Sequence, residues 1–400
     1  MKSKLLVRLL SLVVLAVLIA GCASNSRSGN SPSSSPSSSG SPPAASESPA
    51  DKGESNPQKI RMAVLPYLDY TLFVAAKELG VDKEQGIELD LIPFPHESQA
   101  VQALLNGSID VAQGALGSFV PLLPNAPELR VVLNNNQFKG FVYIGREGKI
   151  KSFDDLLQEK NGNFEEAQKA TLQQLKGKTF LMVESSFGGM LSSALKKVGL
   201  NYSDVKVMNF QNDAQAATAF LRGEGDLYTG SVPQQMKILK EPGYIEVAGN
   251  EVLGEAGLWF SNTAVTDQYL KTNKKTLEKL AAIHYRMTRY LKEDPETVLQ
   301  PMLEFLNKNA SSNLTMDDAK VMVSNYIAFN TIEESREGVY SAESPLYWKK
   351  AADVFVAQNV ELGKIKEGSV DIDTFVQQEI IFNDLLANAE LKEWINAPFN

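Results

Sequence analysis

Strand-like and helix-like stretches alternate along this chain, and the alternation restarts partway. Ile60-Arg61-Met62-Ala63-Val64-Leu65 reads as a strand. Thr71 to Leu79 places Leu72, Ala75, Ala76 and Leu79 on one helical face, and Gly80 follows as its cap. Ile87 to Ile92 alternates as a half-buried strand does, and Ser98 to Leu105 is helical. Asn106-Gly107 then turns the chain into a short strand at Ile109-Asp110-Val111-Ala112. Val131-Val132-Leu133 and Phe141-Val142-Tyr143-Ile144 add two more. A second round begins with a strand at Lys178 to Val183. A helix from Gly189 to Val198, a strand from Val205 to Phe210, a helix from Ala214 to Arg222 and a strand at Leu227-Tyr228-Thr229 complete it. Strands interleaved with helices predict an α/β fold with mainly parallel sheets, and two rounds predict two lobes.

Each round carries the same short pattern. Ala103-Leu104-Leu105-Asn106-Gly107-Ser108-Ile109-Asp110 in the first answers to Ala219-Phe220-Leu221-Arg222-Gly223-Glu224-Gly225-Asp226 in the second. A helix packs its apolar face on the sheet, a glycine permissive at positive φ ends it, and the next strand follows. Asp110 and Asp226 are expected to hydrogen-bond at the turn or strand start, not to hold a ligand. Gln158 to Gln174 is a polar insertion between the rounds, expected on the surface. From Lys274 onward the pattern is helical. Leu277, Leu280, Ile283, Met287 and Leu291 lie along one side of Thr276 to Leu291, Asp294-Pro295 starts another helix, and Thr315-Met316-Asp317-Asp318 has the form of a capping box. Pro345 to Gln358 and Thr374 to Ala389 complete the set.

The first 57 residues have a different composition. Lys2, Lys4 and Arg8 precede an apolar run from Leu9 to Ala20. That run is too short for a permanent span, which takes about 20 residues, and a basic start before a short apolar run is a secretory signal. It ends in Leu18-Ile19-Ala20-Gly21-Cys22, which resembles the bacterial lipobox, in which the cysteine thiol receives a diacylglyceryl group. An ordinary signal peptide with an incidental cysteine is the alternative. The chain has one cysteine, and it stands where a lipobox needs it. The reading is therefore a signal peptide over 1–21 and a lipidated Cys22 that anchors the protein at the extracytoplasmic face of the membrane. Ala23 to Pro57 holds 14 Ser and 6 Pro in 35 residues, with no aromatic and no Ile, Leu, Val or Met. It cannot offset its ordering entropy by burial. Residues 22–57 thus read as a tether, with a reach of about 30–35 Å for a flexible coil of this length.

Charge and rare residues exclude several classes. The formal net charge is −9, falling to −12 once Lys2, Lys4 and Arg8 leave with the signal. No basic face is available for nucleic acid. A single cysteine rules out a disulfide framework or a cysteine-based zinc cluster, and two histidines argue against a His-rich metal site. No cofactor or metal is implied.

Longer segments resemble the solute-binding proteins of ABC importers, in the group that serves nitrate, aliphatic sulfonates, taurine and thiamine pyrimidine precursors. Phe73-Val74-Ala75-Ala76-Lys77-Glu78-Leu79-Gly80 with Gln85-Gly86-Ile87-Glu88-Leu89, Gln99 to Ala112, Ala216 to Asp226, Leu175-Lys176-Gly177-Lys178 and Ala194 to Leu200 carry the likeness, from about Lys59 to Ala310. Each fragment is weak alone, and their order and spacing give the assignment. The resemblance implies a two-lobed periplasmic-binding-protein fold, each lobe a mainly parallel sheet flanked by helices, with a helical C-terminal region. Residues 58–144 and 258–400 would form one lobe and 145–257 the other, hinged near Phe141–Gly145 and Leu258–Asn262. It also implies a monomer that captures a small polar or nitrogen- or sulfur-containing solute and delivers it to a permease and its ATPase. A binding subunit of a sensor system is an alternative. An enzyme is a weaker one: relatives that make the thiamine pyrimidine need a cysteine-rich segment, and no G-x-S-x-G is present.

Ligands in open α/β sheets sit beyond the carboxyl ends of the strands. Those ends supply Tyr67, Asp69 and Tyr70, then His96, then Gly114 and Ser118, then Asn135 in Asn134-Asn135-Asn136. The second round supplies Glu184, Ser185, Ser186 and Gly188, then Asp213, then Ser231. Ser185-Ser186-Phe187-Gly188-Gly189 is expected to start a helix and turn free N–H groups toward a polar or anionic ligand head, with an ordinary cap as the alternative. Tyr67 and Tyr70 either stack on a flat ligand or line a wall, and His96 either bonds a ligand or is solvated. Asp69 and Glu184 disfavour a bare anion and favour an amine or a ring with N–H donors. No Lys or Arg occupies these turns, which argues against nitrate and simple sulfonates.

Overall fold

The computed structural model describes residues 57–399 except 258, 311, 312 and 345, with the side chains of 255 and 256 also left aside. The signal segment, Cys22, the tether to residue 56 and the hinge position Leu258 therefore lie outside the described residues. None of the described helices is long and apolar enough to cross a membrane.

Two sheets organise the chain. The first contains β1 (Gln58–Val64), β2 (Ile87–Pro93), β3 (Ala112–Ala115), β4 (Leu129–Phe138) and, after a long detour, β10 (Trp259–Thr266) and β11 (Ile327–Ala328). The second contains β5 (Tyr143–Arg146), β6 (Thr179–Met182), β7 (Lys206–Asn209), β8 (Leu227–Tyr228) and β9 (Tyr244–Ala248). β1 and β2 pair in parallel, and a parallel bridge from Met62 to Val111 joins them to β3. β10 runs antiparallel between β3 and β4, and β11 edges β4. The second sheet has the order β7-β6-β8-β5-β9, with β5 antiparallel to both neighbours. Both sheets thus follow one plan: second, first and third strands in parallel, an antiparallel crossing strand, then a fourth. The chain passes between sheets after Phe138 and returns before Trp259.

The repeated aspartates do equivalent work. Asp110 Oδ2 accepts the Arg61 backbone N–H at 2.9 Å, and Asp226 Oδ2 accepts that of Thr179 at 2.8 Å. In return the Asp110 and Asp226 N–H groups donate to the Arg61 and Thr179 carbonyls. Each pair fastens the third strand of a sheet beside its first, as the sequence pattern predicts. The preceding glycines, Gly107 and Gly223, have φ of 76° and 99°, where a side chain would be strained.

Local expectations hold in part. Thr315 and Asp318 form a capping box. The insertion forms one helix, Phe164–Gln173, which buries Ala167, Thr171 and Leu172 and meets the preceding Phe153–Glu159 helix through a Phe153–Phe164 ring contact. Asn134-Asn135-Asn136 does not turn after a strand but lies inside β4, buried. The opposite strand is equally polar at Ser261-Asn262-Thr263, and Thr263 Oγ1 donates to Asn135 Oδ1 at 2.8 Å, while Asn135 Nδ2 and Asn136 Oδ1 stay without a partner. The second-round helix begins at Glu184 rather than Gly189 and runs to Lys196. Its glycines allow close approach within a helix, since a Cβ on Gly189 would stand 2.8 Å from Gln358 and one on Gly188 3.1 Å from the Tyr202 hydroxyl.

The C-terminal helices add a contact the alternation does not imply. The Trp348–Glu361 helix places Phe355 against Gly117 and 6.0 Å from the Trp259 ring. One turn on, Gln358 donates to Ser193 Oγ at 2.6 Å and Glu361 pairs with Lys196. Gly117 follows β3 of the first sheet, and Ser193 and Lys196 follow β6 of the second. This helix touches a crossing strand through Phe355 and adds a link between the two halves beyond it through Gln358 and Glu361.

Candidate functional site

The carboxyl ends of both sheets face one cavity. After β1, a short turn at Leu68–Tyr70 brings Tyr67, Asp69 and Tyr70 to it. After β2, Glu97 is the first residue of the Glu97–Leu105 helix. From the second sheet come Ser186 and Phe187 after β6, Asp213 at the start of the Asp213–Leu221 helix after β7, and Ser231 at the cap of the Val232–Leu239 helix after β8. Phe138, Phe141 and Trp259 from the two crossings close the floor. Phe141 makes edge contacts with Phe138, Phe187 and Trp259, with centroids 4.5 to 5.4 Å apart. The cavity holds about 40 Å³, room for about three waters. A wider groove of about 390 Å³ adjoins it and shares Tyr67, Asp213, Ser231 and Pro233.

Asp69 is held by the polar strands. Ser261 Oγ donates to its Oδ2 at 2.5 Å, and Asn136 Nδ2 donates to its backbone carbonyl at 2.6 Å. Asp213 Oδ2 accepts the Ser231 N–H at 3.0 Å. Glu97 packs beside Gly114, where a Cβ would come 3.0 Å from its Cγ and closer still to Phe119. Burial raises all three carboxyls: Asp69 and Glu97 to about 7 and Asp213 to about 6. Their mutual repulsion adds to this, and hydrogen bonds oppose it. Burial also drives the Tyr67 and Tyr70 hydroxyls well above their usual range. His96 Nδ1 accepts the Ser98 N–H, and burial lowers its pKa, so the ring is neutral near pH 7.

Six of the thirteen residues singled out from sequence line the cavity: Tyr67, Asp69, Tyr70, Ser186, Asp213 and Ser231. Three stand just outside it. His96 Nε2 lies 3.9 Å from Glu97 and 3.5 Å from Ser185 Oγ across the cleft edge, and Gly114 backs Glu97. Ser118 is buried nearby without a hydrogen bond, and Asn135 turns to Thr263 in the strand pair. Glu184 accepts the Tyr202 hydroxyl at 3.0 Å, against which Gly188 also packs. The expected cradle of free N–H groups at Ser185–Gly189 is largely used: Asn209 Oδ1 takes the Glu184 N–H, and Val183 O takes those of Ser186 and Phe187. Sequence reading missed Glu97, Phe141 and Trp259. Glu97 directly follows the chosen His96, and its place after a strand was the available signal.

Among the described residues, no group of three or more His, Cys, Asp or Glu is placed to hold a metal ion.

Residues 53–300 match the model of a family described as the NMT1-like family. No curated protein matches the chain. The fold is shared with solved structures. The periplasmic aliphatic sulphonate binding protein of Escherichia coli is 17% identical, with a TM-score of 0.56 over 80% of this chain and 92% of that one. The periplasmic nitrate-binding protein of Synechocystis is 12% identical, with a TM-score of 0.60 over 86% and 90%. A Candida albicans protein described as having the generic periplasmic binding protein fold is 13% identical, with a TM-score of 0.56 over 80% and 96%. At these identities the likeness is one of fold.

Proposed function

Because this chain belongs to the NMT1-like family, we propose that it is a lipid-anchored, extracytoplasmic solute-binding protein of an ABC importer. One observation carries the reading: a single cavity takes its walls from the strand ends of both sheets and its floor from the crossings between them. Such a site is completed only when two halves meet, so a solute that touches both favours the closed form by its extra contacts there. Residues 58–144 and 258–400 form one lobe in this reading and 145–257 the other. The cavity is tight as it stands, so a solute enters, and any part of it beyond a few heavy atoms extends, toward the adjoining groove. The closed form then presents both lobes to a permease. Sulfonate and nitrate proteins share the fold, which supports a small polar solute without naming it.

Mass spectrometry of the small molecule released when the purified protein is denatured tests the binding reading. A stoichiometric solute is expected, and its absence from protein prepared without dialysis would count against it. The anchor has its own test. Cys22→Ser removes the one thiol able to take lipid, and stable anchoring takes two acyl chains or more. The wild-type protein is expected in the membrane fraction and the variant in the soluble extracytoplasmic fraction. A variant that stays with the membrane would show that another feature anchors the chain.

A further inference from the structure

We propose that the solute is an organic cation, its nitrogen held among the carboxylates of Asp69, Glu97 and Asp213 and its apolar body laid against Tyr70, Phe141 and Trp259. This rests on the reading of the chain as a solute-binding protein and adds the sign of the solute's charge.

Asp69, Glu97 and Asp213 are 9%, 5% and 5% exposed and line the same small cavity. No lysine or arginine lines that cavity or the groove outside it. Buried like charges without a counter-ion are strongly unfavourable, and a bound cation removes the penalty. Two buried polar atoms of cavity-lining residues have no partner. Asp213 Oδ1 has no hydrogen bond, and the hydroxyl of Tyr70, 3% exposed and near Ser261 and Trp259, forms none of ordinary geometry. Aromatic faces beside the carboxylates suit a cation further.

The same arrangement disfavours an anion. A helix N-terminus binds anions through free first-turn N–H groups. Here the protein's own side chains take several of those places. Asp213 and Glu97 are each the first residue of a helix; His96 Nδ1 takes the Ser98 N–H, Asn212 Oδ1 takes the Gln215 N–H, and Asp213 takes the N–H of Ser231 at the cap of the next helix. Among the described residues no three acidic groups are placed to hold a metal ion, so the cation proposed is an organic one whose N–H groups reach carboxylates set apart around the cavity. Tyr67, Tyr70, Tyr228 and neutral His96 are the other titratable groups facing them. None supplies a positive charge near pH 7.

The test uses full-length protein stripped of bound solute, with tetramethylammonium and benzylammonium as cations and nitrate and benzenesulfonate as anions, all at matched ionic strength. Benzylammonium is expected to bind by calorimetry and raise the melting temperature at pH 8. Because binding needs ionised carboxylates, its affinity is expected to fall about 10–100-fold between pH 8 and pH 5. Asp213→Asn and Glu97→Gln, each checked for folding, are expected to weaken it at least about tenfold. Tighter binding of benzenesulfonate or nitrate, or cation affinity that rises toward pH 5, would overturn the proposal while leaving a solute-binding protein. Failure of both cations also overturns it. If anions fail as well and denaturation releases no small molecule, the binding reading falls with it.

Discussion

Glu97→Gln is expected to make the solute-free protein more stable at pH 8, not less. Burial raises the Glu97 carboxyl from its usual 4.5 to about 7. The folded state therefore binds a proton more tightly than the unfolded state does. The sign follows from linkage: the group's contribution is most favourable below pH 4.5 and is lost as pH climbs through 7. A gap of that size corresponds to about 3 kcal/mol at most, and shared repulsion with Asp69 and Asp213 brings an expected gain of about 1–3 kcal/mol at pH 8. Glutamine keeps the shape and removes the charge. Thermal melts from pH 5 to pH 8 should show the wild type losing stability as pH rises and the variant losing less, the two converging at pH 5. A variant less stable than wild type at pH 8 would mean that Glu97 is paired in the folded protein.

Arg286→Met is expected to destabilise strongly and in a defined place. Arg286 lies on the Lys274–Glu293 helix with its side chain almost fully buried. Its guanidinium donates to the carbonyls of Trp394, Ala397 and Pro398 and stacks under the rings of Trp394 and Phe399 at 4.7 and 4.4 Å. These carbonyls lie at the end of the Ala389–Asn396 helix, where intrahelical donors run out and only the Ala397 N–H still reaches Trp394 O. Methionine fills similar volume and supplies no donor: Pro398 loses its donor, while Trp394 keeps the Ala397 N–H and Ala397 keeps Arg289, and with the lost ring contacts the expected cost is about 2–4 kcal/mol. Urea denaturation gives the magnitude, and limited proteolysis should cut the variant after Asn388 first. A loss below about 1 kcal/mol would show that Arg289, which donates to Ile395 and Ala397, suffices alone.

The two sheets were legible because alternation and the repeated Gly-x-x-Asp turn are local. A helix face, a positive-φ glycine and an aspartate beside the next strand each declare themselves within eight residues. Asn134-Asn135-Asn136 misled because three amides favour a turn when read alone. Only the polar face of β10, which arrives more than a hundred residues later, makes a strand of them. Gly188-Gly189 misled for the converse reason: the glycines answer to Tyr202 and Gln358, neighbours that only tertiary packing supplies. The site divides the same way. Asp69, Asp213, Ser186 and Ser231 follow strands and were found by that rule. Trp259 and Phe141 belong to the crossings, whose apolar sequence is indistinguishable from core until both halves are in place.

The bridge made by the Trp348–Glu361 helix bears on kinetics. Two crossing segments alone leave the halves one easy rotation. A third attachment, through Gln358 and Glu361, would make a latch of the proposed hinge. In the binding cycle proposed here, the latch must release before the walls part, whatever the solute concentration outside. Capture is then first-order at high solute: the observed association rate reaches a ceiling set by unlatching. That ceiling rises with ionic strength as the Lys196–Glu361 pair is screened. A dilute solute would be retained for as long as the latch stays shut, so residence time would be governed by a helix that does not line the cavity.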